Sequence, residues 1–136
     1  MGRHLISELI TSFGFTVGDS ILVIAPPFEY LKKLQLPEWN LHIFTNAHSN
    51  GLFDAVHIFA LNQLDVMELA PAATAVLKKN GPLWFSFPNK TVNKTKPTDL
   101  SHLNGWDTLT DSGWSINETN ECLDGWSSIR FTECDF

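Results

Sequence analysis

The side chains of this sequence that are equipped for metal, acid–base or nucleophilic chemistry are few and widely spaced. Histidines stand at His4, His42, His48, His57 and His102. None forms the His-x-x-x-His pair that turns two imidazoles toward one zinc ion, so no metal site is expected. His42 and His57 fall in apolar runs and read as core-edge side chains with hydrogen-bonding partners. The two cysteines, Cys122 and Cys134, exclude a disulfide scaffold or a four-cysteine zinc site. Neither has an evident base beside it, and both read as unreactive thiols. A serine hydrolase needs a Gly-x-Ser-x-Gly elbow between strand and helix, which neither Gly18-Asp19-Ser20 nor Ser112-Gly113 provides. No phosphate-cradling glycine loop is present either. No catalytic residue is therefore assigned.

The formal net charge of −6 opposes the counterion release that drives nucleic-acid binding. No nucleic-acid partner is expected. Lys90, Lys94 and Lys96 form the densest basic region; in a polar loop they read as a solvated face, with a phosphate-binding loop as the alternative. No apolar run approaches membrane-spanning length and the N-terminal residues lack the apolar core of a signal peptide. The expectation is a cytoplasmic protein without a membrane partner. With 136 residues, 43% of them hydrophobic, the chain suits a single domain over residues 1–136.

The elements that must position any site follow from hydrophobic period and turn residues. Leu5, Ile6, Leu9, Ile10 and Phe13 recur with helical spacing, and Gly14 stops that helix. Ser20 to Ala25 is a continuous apolar run of the kind buried on both faces of a sheet, which predicts the first, central strand. Pro26-Pro27 ends it and opens a short helix from Phe28 to about Leu34. Leu41 to Thr45 and Phe53 to Ala60 read as further strands. Gln63 to Lys79 reads as a helix kinked or divided at Pro71, with Leu64, Met67, Val76 and Leu77 toward the sheet and Asn80-Gly81 as its cap.

Leu83 to Phe87 is a fourth strand. Thr98-Asp99-Leu100 opens a helix on which Leu100, Leu103, Trp106 and Leu109 could share a face, a reading that Gly105 weakens. Strand-like segments at Trp114 to Cys122 and Trp126 to Thr132 flank Asp124-Gly125 and predict a hairpin. Arg130 lies mid-strand, where its charge needs a partner. Asp99, Glu118 and Glu121 are the candidates, with Arg130 and Asp99 assigned structural roles. The expected fold is α/β: a small, mostly parallel, Rossmann-like sheet flanked by helices and ending in an antiparallel β-hairpin.

This order resembles class I methyltransferases, whose parallel units end in a hairpin with the last strand inserted beside the fourth. Local phrases carry the likeness: Gly18-Asp19-Ser20-Ile21-Leu22-Val23-Ile24 for the first strand, Phe53-Asp54-Ala55-Val56 for the strand beside the cofactor, and Val76 to Leu83 for helix, glycine turn and strand. A closer resemblance, carried by Leu83 to Lys90 with Thr98-Asp99-Leu100 and by Asp124 to Phe131, is to a family of short bacterial proteins. It is a domain of unknown function described as a degenerate methyltransferase fold. The resemblance implies no activity by itself.

The methyltransferase pattern has departures. The turn after the first strand is Ala25-Pro26-Pro27-Phe28, with no glycine and two residues lacking N–H groups where cofactor donors are needed. Thr45-Asn46 stands where an acidic residue usually accepts ribose hydroxyls. Only residues 46–52 separate the second and third strands, too few for the usual helix and strand. The resulting expectation is a non-enzymatic binding or scaffold domain with no cofactor, acting on a small molecule or protein as a monomer or homodimer. The alternatives are an S-adenosylmethionine-dependent methyltransferase with an atypical cofactor site, or a subunit completed by a protein partner. Any ligand site belongs at the carboxyl ends of the parallel strands, lined by Asn46, Asn62, Lys90 and Asp124, with Trp126 beside them. Lys90, Asp124 and Trp126 are expected to converge there.

Overall fold

The structure is a computed structural model that describes residues 10–46, 51–89, 97–123 and 125–134. Its strands are β1 (Ser20–Ile24), β2 (His42–Phe44), β3 (Ala55–Phe59), β4 (Leu83–Pro88), β5 (Trp114–Leu123) and β6 (Trp126–Glu133). The helices lying wholly within the described residues are α1 (Phe28–Leu34), α2 (Gln63–Ala75) and the short α3 (Asp107–Thr110), and residues 10–12 are helical as well. The sheet order is β2-β1-β3-β4-β6-β5. Pairing is parallel from β2 through β4, while β6 runs antiparallel to both β4 and β5. The Rossmann-like arrangement with a terminal hairpin is thus present.

Strand alternation sends side chains into two cores. Leu22, Val56, Ile58, Leu83, Phe85, Ile129 and Phe131 pack with Val66, Ala70 and Ala73 of α2 and with Trp106 and Leu109. On the opposite face, Ile21, Val23, Phe59 and Trp84 pack with Ile10, Phe13 and with Tyr30 and Leu34 of α1. Trp84 is fully buried and its indole N–H donates to the Phe13 carbonyl at 2.8 Å. That bond ties the N-terminal turn to the sheet.

Three sequence expectations are corrected. First, α2 ends at Ala75 and contains Pro71 without dividing there. It turns Val66, Ala70 and Ala73 inward and leaves Leu64 and Met67 each 58% exposed. The small residues at i, i+4 and i+7 let the helix lie close to the sheet. Val76 and Leu77 do pack against the core, but Leu77 forms a parallel bridge with Phe53. Second, Asn80 takes the left-handed conformation (φ 66°) several residues after the helix has ended. Third, the helix expected from Thr98 is replaced by local turns: Thr98 Oγ1 accepts the Leu100 N–H, Ser101 pairs with Asn104, and Gly105 has φ +103°. Only Asp107–Thr110 is helical, and Leu103 is 95% exposed.

The hairpin register places the two cysteines at opposite ends. Cys122 lies beside the turn, whereas the Cys134 N–H bonds the Gly113 carbonyl at the far end. Both thiols are free. The length of β6 corresponds to about 25 Å, and a disulfide needs Cα atoms within about 7 Å. Alkylation of the unreduced, denatured monomer should therefore label both thiols in an intact-mass measurement. An unlabelled monomer lacking two hydrogens would contradict this register.

Candidate functional site

The carboxyl ends of β1, β2, β3 and β4 share one edge of the sheet. At the end of β1, Ala25 has φ 54°. A left-handed backbone is uncommon outside glycine and asparagine, and it costs an alanine on the order of 1 kcal/mol. The small exposed side chain leaves the turn open to solvent before Pro26-Pro27 leads into α1. Beyond β2, Asn46 is exposed on the same edge.

Asn62 follows β3, but its side chain caps α2: Oδ1 accepts the Asp65 N–H at 2.9 Å, and Asp65 Oδ2 accepts the Leu61 N–H at 2.9 Å. The sequence placed Asn62 in a ligand site; its side-chain oxygen instead satisfies a helix-end donor. Lys90 and Asp124 lie outside the described residues. Their neighbours are joined, since Pro88 pairs with Trp126 and the Asn89 N–H donates to the Gly125 carbonyl at 2.8 Å.

Trp126 is 9% exposed, packs edge-on against Phe59 with ring centroids 5.3 Å apart, and lines a groove of about 510 Å³ with Glu29, Lys33 and Leu123. Its core role and its place at the edge therefore coexist. Arg130 pairs with Glu118 at 3.4 Å, its partner in the β5–β6 register, and so braces the hairpin internally. Of the three candidates, Glu118 is the one that pairs with Arg130 among the described residues. Asp99 instead accepts the Gln63 N–H at 2.8 Å and helps to hold the start of α2.

Beneath the groove runs a buried polar chain that sequence reading did not assemble. His57 Nδ1 is 2.6 Å from the Tyr30 hydroxyl, and His57 Nε2 is 2.6 Å from Ser86 Oγ. Ser86 Oγ is in turn 2.6 Å from Ser128 Oγ and 3.6 Å from Cys122 Sγ. Tyr30, His57, Ser86 and Ser128 are each 0% exposed. His57 is thus at the centre of a core rather than its edge, while His42 is exposed on β2.

Proton inventory gives the chain a direction. A buried tyrosine hydroxyl has one proton to place, and His57 is its one hydrogen-bond partner among the described residues. Tyr30 therefore donates to Nδ1, His57 carries its proton on Nε2 and donates to Ser86, and Ser86 passes its own to Ser128 or Cys122. Burial pushes His57 down to about 3, so it is neutral near pH 7. Burial also raises Tyr30 well above its ordinary value and raises Cys122. All the links are therefore neutral hydrogen bonds.

The signal for this chain was present as isolated polar residues inside apolar strands, namely His57 in β3, Ser86 in β4 and Ser127-Ser128 in β6. Among the described residues, no group of three or more His, Cys, Asp or Glu side chains could hold a metal ion. No described helix is long and apolar enough to cross a membrane.

No protein-family profile matches the chain, and no curated protein matches it in sequence. Solved structures do match in fold. An S-adenosylmethionine-dependent methyltransferase from Aquifex aeolicus superposes with a TM-score of 0.61 at 12% identity, covering 93% of this chain and 88% of that one. The N-methyltransferase NodS from Bradyrhizobium japonicum gives 0.60 at 12% identity, covering 98% and 94%. Magnesium protoporphyrin IX methyltransferase from Synechocystis, solved with bound S-adenosylhomocysteine (SAH), gives 0.55 at 10% identity, covering 96% and 82%. At these identities the likeness is one of fold: the chain has the Rossmann-like fold of class I S-adenosylmethionine-dependent methyltransferases, with six described strands and a C-terminal antiparallel hairpin.

Proposed function

We propose that this chain is an S-adenosylmethionine-dependent methyltransferase with an atypical cofactor site at the carboxyl edge of its sheet. The observation that carries the reading is Ala25. Its left-handed backbone at the end of β1 turns the chain as a glycine would, and its single exposed methyl group keeps the backbone approachable. Asn46, exposed after β2, offers an amide to ribose hydroxyls in place of a carboxylate. When bound, the cofactor would supply an electrophilic methyl group. Pro26-Pro27 withhold two backbone donors, so side chains must take over part of the task of holding the ligand.

The same two prolines favour a second reading, a binding or scaffold domain that has kept the fold without the cofactor. The phrases at Leu83 to Lys90 and Asp124 to Phe131 support membership of the short bacterial family described above. Calorimetric titration with SAH separates the two readings. Saturable binding with a Kd in the micromolar range, weakened by Asn46→Ala, is the expected result. Absence of binding at millimolar SAH would remove the methyltransferase reading and leave the scaffold.

A further inference from the structure

Glu29 and Lys33 lie one turn apart on α1 and both line the groove beside Trp126. An acid four residues before a base favours a direct ion pair across the turn. No such pair forms among the described residues. Among the described residues, these two opposite charges instead border one opening whose other wall is Leu123 and Trp126. A ligand with one charge would leave the other side chain without a counter-charge, and an uncharged one would strip water from both without replacement. A small molecule with adjacent positive and negative groups and an apolar substituent meets all four residues.

We propose that this groove is a binding site for a small zwitterion bearing an apolar side chain, the chemistry of a free α-amino acid. Its carboxylate pairs with Lys33, its ammonium with Glu29, and its side chain packs against Leu123 and Trp126. The buried polar chain fixes both walls. Tyr30 anchors α1 between Glu29 and Lys33, Cys122 adjoins Leu123, and Ser128 stands two residues from Trp126. Walls held in place before binding cost little ordering when a ligand arrives. The inference does not rest on the methyltransferase reading.

The test is titration of the whole chain, without SAH, followed by two-dimensional NMR at the Trp126 indole and the Leu123 amide. The probes are L-leucine, 4-methylpentanoate, which lacks the ammonium, and 3-methylbutylamine, which lacks the carboxylate. L-leucine is expected to bind saturably and roughly tenfold more tightly than either analogue, the weight of one charge-assisted hydrogen bond. Glu29→Gln should bring L-leucine level with 4-methylpentanoate, and Lys33→Gln should bring it level with 3-methylbutylamine. Glu29 is exposed and Lys33 half-buried, and unchanged circular dichroism verifies the folding of both variants. Equal affinity for the three probes, absence of a shift at Trp126 or Leu123, or wild-type L-leucine binding by both variants would overturn the proposal.

Discussion

Between about pH 5.5 and about 4, the stability of the protein is expected to fall by about 1.4 kcal/mol for each pH unit crossed, through His57 alone. The sign follows from proton binding. Burial holds folded His57 near 3, against 6.5 for an unperturbed imidazole. The unfolded chain binds the extra proton within that window and the folded chain does not, so acid favours unfolding. The contribution is complete above 6.5 and is lost as pH falls toward 3. Protonation would also turn Nδ1 into a donor facing the Tyr30 proton, and α1 would lose its anchor to the sheet. Denaturant titrations across this range measure the slope.

His57→Leu should be less stable at pH 7 by about 3 kcal/mol, because Tyr30 loses its buried acceptor, and its stability should be nearly flat from 6.5 to 4.5. Asp54 enters only below that range. The Lys78 ammonium at 2.7 Å, helped by the Ser20 N–H, lowers its pKa, so its contribution persists until still lower pH. A wild-type slope that survives in His57→Leu would refute the neutral, buried assignment.

Gly81→Ala is expected to destabilise the fold by about 3 kcal/mol. A Cβ there would stand 2.5 Å from the Asp54 carbonyl oxygen, 2.8 Å from Leu77 Cδ1 and 3.0 Å from the Lys78 carbonyl oxygen. Two of the three are backbone atoms and cannot rotate away. Asp54 is also poorly placed to yield, since its carboxylate accepts the Ser20 N–H at 2.8 Å and the Lys78 ammonium at 2.7 Å, joining the starts of β1 and β3 to the segment between α2 and β4. Relief at position 81 would therefore pull on β1 and β3 together. Gly51→Ala is the control, because nothing lies within 4 Å of its added Cβ. Thermal and denaturant unfolding should place Gly51→Ala within about 0.5 kcal/mol of wild type; equal effects at the two positions would dismiss the clash.

What was legible in the sequence was set by local period and punctuation. Ser20 to Ala25 read as a buried strand, Pro27-Phe28 opened α1 at the observed place, and Asp124-Gly125 announced the hairpin. Leu64 and Met67 misled because hydrophobicity favours them for the interior, whereas packing chose the smaller Ala70 and Ala73, which allow close approach. Asn80-Gly81 read as one cap, but its two residues serve different ends: Asn80 supplies the left-handed turn and Gly81 the missing Cβ. The buried chain was illegible for another reason. His57, Ser86 and Ser128 face one another only because β3, β4 and β6 adopt one register, and register belongs to the assembled sheet. Glu118 became the partner of Arg130 through the same register, ahead of Asp99 and Glu121. At the candidate site, Asn46 and Trp126 fall on the expected edge, while Asn62 was claimed by the helix it begins.

The two outer strands have a bearing on solubility. An unpaired strand edge can recruit another chain through its free backbone groups. Here β2 has three residues, too short a rail for stable addition. At the opposite edge, β5 is long, but its pairing shifts between Ile116 and Glu118 and again between Asn120 and Leu123. Exposed Glu118 and Glu121 add like charge along it. A second copy laid against either edge would meet too few groups or a broken, acidic row, so the sheet of six described strands resists the edge-to-edge stacking that seeds fibrils.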